Sequence, residues 1–197
     1  MSDACRRAAI VAEAERLFLE KGYGATCTVE IAARCRMSKQ TLYRLFPGKT
    51  ELFAAVVEAN RLRLITLSDA FDDLPFEEAL ARIFMIDIDP EAYEARAAYL
   101  RLLQTEAVYF PELRGVMKTH GGEKSRADLR AWLDRQCEKR GLLIEDTRSA
   151  AHMLMDMFIG SVFFDAVGGF GWDDETERLA HFRHCITIFM RGVLPRE

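Results

Sequence analysis

Apolar residues recur every three or four positions along almost the whole chain, and this spacing is the period of an α-helix. The clearest case is near the C-terminus, where the recurring residues are Leu179, Phe182, Ile186, Phe189 and Val193. Half of the 197 residues are hydrophobic, which is enough for a large core. The sequence predicts an all-α protein of about nine helices.

A break of three residues separates two short helical segments near the N-terminus. Residues 31–35 and 42–46 each carry an apolar helical face, and residues 36–38 interrupt them. Ser38 can cap the second segment, and Pro47 ends it. A longer helix precedes both and stops at Gly22 and Gly24. Together they predict a three-helix helix-turn-helix DNA-binding domain over residues 1–50.

The rest of the chain, residues 51–197, is predicted to form a larger helical bundle. Helices are expected over 50–72, 76–85, 90–108, 145–167 and 174–193. Between them, Gly121 and Gly122 should bend the chain, and Gly141 should end the helix that follows. A flexible segment is expected at 168–171, where three of four residues are glycine.

Charge is distributed unevenly along the chain. Residues 1–52 hold nine basic and six acidic residues, whereas the remainder holds 18 basic and 25 acidic ones. An acidic body repels nucleic acid, so the N-terminal segment is the part expected to contact phosphate.

Nothing in the sequence indicates a membrane or a secretory route. It has no stretch of 18 apolar residues and no signal-peptide hydrophobic region, so we expect a cytoplasmic protein without a membrane partner. The five cysteines are scattered and never spaced Cys-x-x-Cys, which indicates reduced thiols and no cofactor or zinc site. Redox sensing by one of them stays open.

The N-terminal segment resembles the TetR/AcrR family of transcriptional regulators. The resemblance rests on AERLFLEKGY at 14–23, IAAR at 31–34 and SKQTLYRLFPGKTELF at 38–53. More weakly, YLRLLQTE at 99–106 and FPEL at 110–113 resemble the AefR-like type of C-terminal regulatory domain. Two positions depart from the family pattern. Arg36 stands where a turn glycine is common, and Leu45 stands where a tyrosine or histidine often adds a backbone contact.

The resemblance places Lys39, Gln40 and Thr41 at base-contacting positions and Tyr43 at a phosphate contact. The chemistry suits these roles, because glutamine pairs with adenine and a tyrosine hydroxyl gives one neutral hydrogen bond to phosphate. Lys49 starts a helix whose N–H groups can hold a phosphate with it. For Arg44, a solvated charge or a salt bridge to the fourth helix is an equal alternative. The predicted DNA-binding set is Thr26, Thr28, Arg36, Ser38, Lys39, Gln40, Thr41, Tyr43, Arg44 and Lys49.

The two C-terminal helices are predicted to form a dimer interface. The helix over 145–167 is apolar almost all round, so it must be covered on two sides. A second subunit can cover one of them, and the resemblance implies a four-helix dimer interface. The alternative is that both helices lie inside a monomer. The predicted interface residues are Met157, Gly160, Phe164, Leu179, Phe182, Ile186 and Phe189.

A small, largely apolar effector is expected to control the spacing of the two DNA-reading helices. Methionine and phenylalanine offer an adaptable apolar wall, although each such residue is also a candidate for simple core packing. The predicted ligand-binding residues are Leu103, Gln104, Ala107, Phe110, Met117, Phe158 and Phe163.

The resemblance therefore implies a homodimeric repressor that binds a palindromic operator in double-stranded DNA and is released by an effector. A metal-dependent or other helical enzyme is one alternative, because His181 and His184 are three residues apart with Cys185 adjacent and could bind a metal, although no third ligand follows at a recognisable spacing. A protein-binding helical scaffold without DNA affinity is the other.

Overall fold

Helices form all the regular structure in the part of the chain described by this computed structural model, namely residues 2–166, 172 and 174–193, with only the backbone for 164–166. The α-helices are α1 (Asp3–Ala25), α2 (Thr28–Arg34), α3 (Lys39–Leu45), α4 (Lys49–Ala59), α5 (Phe76–Phe84), α6 (Pro90–Tyr109), α7 (Leu113–Met117), α8 (Glu123–Arg140), α9 (Thr147–Ala166) and α10 (Glu175–Val193). The predicted all-α class is confirmed.

The chain divides into two compact units. Unit 1 comprises Met1–Arg61 and Arg101–Gly122, and unit 2 comprises Leu62–Leu100 and Glu123–Glu197. Helix α6 therefore contributes its first half to unit 2 and its second half to unit 1. The functional boundary predicted after residue 50 falls in the first turn of α4 and stays a prediction.

Unit 1 is built around the apolar face of α1. Ile10, Ala14, Leu17 and Phe18 lie three or four residues apart and are fully buried. The ring of Phe18 packs against the ring of Phe53 on α4, with the two centroids 5.6 Å apart. This packing joins α1 and α4 into a support for the two short helices between them.

Helix α4 ends much earlier than predicted. The expectation of a helix to residue 72 is wrong, because the chain leaves the helix at Asn60, whose buried side chain donates to the Val56 carbonyl at 2.9 Å. A 3₁₀ turn at Arg61–Arg63 follows, and Leu64 and Ile65 are then buried without helical structure. The spacing of these apolar residues is the same as that of a longer helix, which is why the sequence predicted one.

The core of unit 2 is rich in stacked aromatic rings. Phe84 of α5 stacks on Phe158 of α9 with centroids 4.3 Å apart, and Phe158 also contacts Phe182 of α10 at 5.3 Å. Phe76 stacks on Trp132 at 5.6 Å. These pairs fix α5, α8, α9 and α10 around one apolar centre.

The remaining glycine predictions differ in outcome. A π-helical segment at Lys118–Gly122 joins α7 to α8, so the chain stays helical across Gly121 and Gly122, and the predicted bend there stays a prediction. Gly141 follows the last residue of α8 at a φ of 66°, which glycine adopts at little cost. The flexible segment predicted at 168–171 lies outside the described residues.

Candidate nucleic-acid interface

The turn between α2 and α3 is tight and well capped. The Ser38 side chain accepts a hydrogen bond from the Thr41 backbone N–H at 3.0 Å, as expected for an N-cap. Arg36 takes the left-handed conformation, with a φ of 53°. The turn therefore keeps its left-handed geometry without the glycine common there, at a cost of about 1 kcal/mol.

Helix α3 separates an apolar face from a polar one. Leu42 is fully buried and Leu45 is 9% exposed, so both hold α3 against the rest of unit 1. The exposed side chains are Ser38, Lys39, Gln40, Tyr43 and Arg44, and Thr41 is half-buried. A short helix held by its apolar side presents donors and acceptors suited to a major groove.

The Tyr43 hydroxyl lies at the edge of this polar face, beside the start of α2. It is 3.0 Å from the Thr28 hydroxyl, and Lys39 Nζ lies 5.6 Å from the centre of the tyrosine ring. Three of the predicted DNA-contacting side chains thus come together. The cluster supplies two hydroxyls and one ammonium, a set that suits a phosphate.

Lys49 is enclosed by backbone carbonyls. Its Nζ donates to the carbonyls of Tyr23, Gly24 and Thr26, at 2.6, 3.3 and 3.0 Å, and lies 4.2 Å from the centre of the Tyr23 ring. Partial burial lowers the pKa of the ammonium. Lys49 therefore fixes the junction between α1 and α2, a role that the sequence did not indicate.

Replacing Lys49 with glutamine should lower the free energy of unfolding by about 2 kcal/mol, because three carbonyls lose a charged donor. Urea unfolding followed by circular dichroism measures this change. Lys39→Gln is the matched control, since Lys39 is exposed and its loss should cost less than about 0.5 kcal/mol. Equal losses in the two variants would contradict the structural role of Lys49.

The Thr26 side chain is part of the interior. It is 3% exposed, and its hydroxyl donates to the Gly22 carbonyl at 2.7 Å. The predicted phosphate contact by Thr26 is therefore withdrawn. Thr28 is also largely buried, at 9% exposed, but its hydroxyl meets that of exposed Tyr43.

Arg44 forms an ion pair with Asp3 at the start of α1. Its two terminal nitrogens lie 2.6 and 2.9 Å from the Asp3 carboxylate oxygens. Hydrogen bonds from Arg44, and then from Arg6, hold the pKa of Asp3 well below its usual range, so the pair stays ionised near neutral pH. The salt-bridge alternative for Arg44 is observed, although its partner is α1.

Asp3→Asn should raise DNA affinity about threefold, because it removes a negative charge from the exposed face and releases Arg44 for a phosphate. Fluorescence anisotropy with a short duplex at low salt measures the change. Glu138→Gln removes an equally exposed carboxylate from α8 of unit 2 and should leave the affinity unchanged. Unchanged affinity in Asp3→Asn would show that Arg44 has no part in binding.

Two supporting contacts could not be found from the sequence. Arg7 donates to the Leu45 carbonyl at 2.6 Å and lies over the Phe46 ring at 4.3 Å. Buried Glu106 accepts the Tyr23 backbone N–H at 2.9 Å, across 83 positions of sequence. Neither spacing forms a local motif, so only the fold brings these residues together.

The predicted ligand-binding residues divide between the two units. Leu103, Phe110 and Met117 pack partly buried against the core of unit 1, and Gln104 and Ala107 are half-buried on the same stretch of α6. The other two predicted residues, Phe158 and Phe163, belong to unit 2, where Phe158 is fully packed between aromatic rings.

The predicted dimer residues differ in exposure. Phe182, Ile186 and Phe189 are each less than 10% exposed within the single chain, so this stripe packs mainly inside unit 2. Met157, Gly160 and Leu179 are half-buried, and the Phe164 side chain lies outside the described residues. The exposed apolar residues nearby are Leu143, Met153 and Ile188, which the sequence analysis did not select.

His181 and Cys185 lie one helical turn apart, with Nε2 and Sγ separated by 3.4 Å. Across the residues that the structure describes, no group of three or more His, Cys, Asp or Glu side chains could hold a metal ion. Within the same residues, no helix is long and apolar enough to cross a membrane.

The chain matches known protein families in sequence and solved structures in fold. Residues 10–56 match the profile of bacterial regulatory proteins of the tetR family, and residues 79–192 match the C-terminal domain of AefR-like transcriptional repressors. No curated protein matches the sequence.

Among solved structures, a TetR-family transcriptional regulator from Mesorhizobium loti MAFF303099 is 22% identical, covers 98% of each chain and gives a TM-score of 0.74. The flavonoid-responsive regulator FrrA is 26% identical, covers 98% of this chain and 100% of its own, with a TM-score of 0.68. GusR of Salmonella enterica is 20% identical, and the match covers 94% of this chain and 95% of that chain with a TM-score of 0.68. The chain belongs to the TetR family of transcriptional regulators and carries an AefR-like C-terminal domain.

Proposed function

We propose that the protein is a cytoplasmic homodimer that represses transcription by binding a palindromic operator. The observation that carries the proposal is α3, a capped helix with a buried apolar side and an exposed face of hydrogen-bonding side chains. In a two-fold dimer, two such helices enter successive major grooves, and the operator repeats the dimer's symmetry.

The residues on this face have separate roles in the proposal. Gln40 and Lys39 read base edges, and the Thr41 methyl contacts a thymine. Tyr43 and Thr28 position the backbone through their paired hydroxyls, while Ser38, Arg36 and Arg44 add neutral and charged phosphate contacts. Lys49 acts indirectly by fixing the junction from which α2 starts.

The dimer rests on an exposed apolar groove of unit 2, with a volume of about 520 Å³. Leu143, Met153 and Ile188 line it and are each more than half exposed, together with the partly buried Met157. Such a continuous apolar surface is costly in water, and a second copy of the chain would cover it. The space beside Gly160 is open, because a Cβ atom added there would meet no atom within 4 Å, and the absence of a side chain would let a second copy of the chain approach the α9 backbone closely.

Repression and its release complete the proposal. The C-terminal match is to a domain of transcriptional repressors, and the structurally similar FrrA is described as flavonoid-responsive. We propose that a small, largely apolar effector binds the C-terminal helices and lowers operator affinity by favouring a dimer whose reading helices are wrongly spaced.

The decisive experiment is selection of bound sequences from a random duplex pool by the purified protein. We expect enrichment of a palindrome with two half-sites about one helical turn apart. The double variant Lys39→Ala, Gln40→Ala is the control, since both side chains are exposed and the helix cap remains. No enrichment by the wild-type protein would contradict the proposal and favour the scaffold alternative.

Gln40→Ala should weaken binding to the selected operator about tenfold while leaving random DNA unaffected, because a bidentate base contact discriminates by about 1–3 kcal/mol. Parallel titrations of operator and random duplex measure the ratio. Tyr43→Phe provides the contrast, since losing a phosphate contact should weaken binding to both duplexes equally. Equal losses on both duplexes for Gln40→Ala would remove its base-reading role.

A further inference from the structure

Unit 2 contains a small pocket whose lining residues have no role in the proposed function. Its volume is about 250 Å³, and it lies among the residues that follow α4, the end of α5 and the first half of α6. The lining residues are Arg63, Met85, Ile88, Ala92, Ala95 and Arg96. The walls are largely apolar, and two arginines supply positive charge.

Arg96 is the most unusual of these residues. It is only 4% exposed, and its terminal nitrogens donate to the backbone carbonyls of Phe84 and Leu64 at 3.0 and 2.8 Å. Its Nε is also buried and has no hydrogen-bond partner. Both acceptors are neutral, so a buried charge and a buried donor remain without an anionic partner among the described residues.

A second buried arginine makes the surroundings of Arg96 more positive. Arg178 is also 4% exposed and lies over the ring of Tyr93 at 4.1 Å. Burial, together with repulsion from Arg178, lowers the pKa of Arg96 to about 10, so its guanidinium is still charged at neutral pH. Arg178 pairs with Glu175 at 3.5 Å, whereas both hydrogen-bond acceptors of Arg96 are backbone carbonyls. A buried cation is costly unless an anion accompanies it.

A capping role accounts for only part of this geometry. A cation at the last carbonyl of α5 is favourable, and it explains the bond from Arg96 to Phe84. It does not explain the unpartnered Nε or why Arg96 lines a pocket. Met85 also lines the pocket, and its left-handed conformation, with a φ of 50°, is that of the residue that ends α5.

We propose that this pocket binds a small organic acid, whose carboxylate meets Arg96 and whose apolar body contacts Met85, Ile88 and Ala95. A cavity of about 150 Å³ is enough to hold benzene, so the space of about 250 Å³ suits a monocyclic aromatic acid or a short-chain acid. A guanidinium binds carboxylates well because its N–H groups match both oxygens. The pocket stands as a ligand site on its own contacts, and its role as an effector site rests on the proposed function.

Isothermal titration calorimetry of the full chain tests the site with benzoate and hexanoate as probes. We expect at least one of them to bind, and the matching neutral amide to bind at least tenfold more weakly. Ala95→Leu should abolish binding, because Ala95 is an exposed residue of the pocket wall and a larger side chain there fills the pocket. Ala131→Leu makes the same change on an exposed position of α8 that does not line the pocket, and should bind like the wild type.

The site would be overturned by no measurable binding of either acid, by equal affinity for acid and amide, or by unchanged affinity in Ala95→Leu. Operator titrations with and without the bound acid separate the two proposals. An acid that binds without changing DNA affinity supports the site and overturns its effector role. A protein that binds the acid but enriches no DNA supports the site and overturns the proposed function.

Discussion

Replacing Ile188 with aspartate should convert the proposed dimer to a monomer and weaken operator binding about 100-fold or more. Ile188 is 57% exposed and lines the apolar groove between α9 and α10. In a two-fold interface each substitution appears twice, so two carboxylates would enter an apolar surface without partners. A monomer carries a single copy of α3, so it loses the gain in affinity of about 10²–10⁴ that binding through two linked copies provides.

Leu62→Asp is the matched control for this change. Leu62 is 61% exposed, also belongs to unit 2, and does not line the groove, so its substitution should preserve both the dimer and DNA binding. Sedimentation equilibrium gives the mass of each variant, and anisotropy gives its affinity for the operator. An Ile188→Asp protein that remains dimeric would place the interface elsewhere.

Gly22→Ala should reduce the free energy of unfolding by about 3 kcal/mol, the second large effect that we expect. Gly22 interrupts the regular geometry of α1 at a φ of 81° and a ψ of 163°, a region that costs other residues about 1–3 kcal/mol. A side chain there would also lie 2.8 Å from Glu106 Oε1. Glu106 would have to move, and the buried Tyr23 N–H would lose its acceptor.

The control for this substitution is Gly115→Ala. Gly115 lies within α7, its φ is not positive, and an added side chain would meet no atom within 4 Å. Its replacement should leave the protein as stable as before, or slightly more stable. Thermal and urea unfolding of both variants compare them directly. Equal stability of Gly22→Ala and the wild type would show that the contact with Glu106 contributes little.

Local features of the sequence were sufficient to predict the two short helices α2 and α3 and the turn between them. The cap of α3 depends on neighbouring residues, as Ser38 and Thr41 show, and so does the separation of buried Leu42 from exposed Gln40. Helical spacing likewise placed most of the C-terminal helices within two residues of their observed ends. Short-range chemistry determines these features.

Long-range packing determined what the sequence could not show. The spacing of Phe182, Ile186 and Phe189 indicates a buried face, but the same spacing serves a partner subunit or the chain's own core. Lys49 meets carbonyls more than 20 positions away, and only the folded junction brings them together. A buried arginine such as Arg96 has no periodic signature at all, so its pocket emerged only from the structure.

The salt dependence of binding to the selected operator tests the central claim most directly. In the proposed dimer, each copy of α3 and the turn before it brings three cations to the DNA: Lys39 at a base edge, and Arg36 and Arg44 at phosphates once Arg44 exchanges Asp3 for the DNA. The two copies together displace up to about six counterions, so the plot of log K against log salt should have a slope near −5. Operator affinity would then fall about 1,000-fold between 50 and 200 mM salt. A slope near zero would mean that this face does not contact DNA phosphates, and would contradict the account of the protein as a DNA-binding regulator that acts through α3.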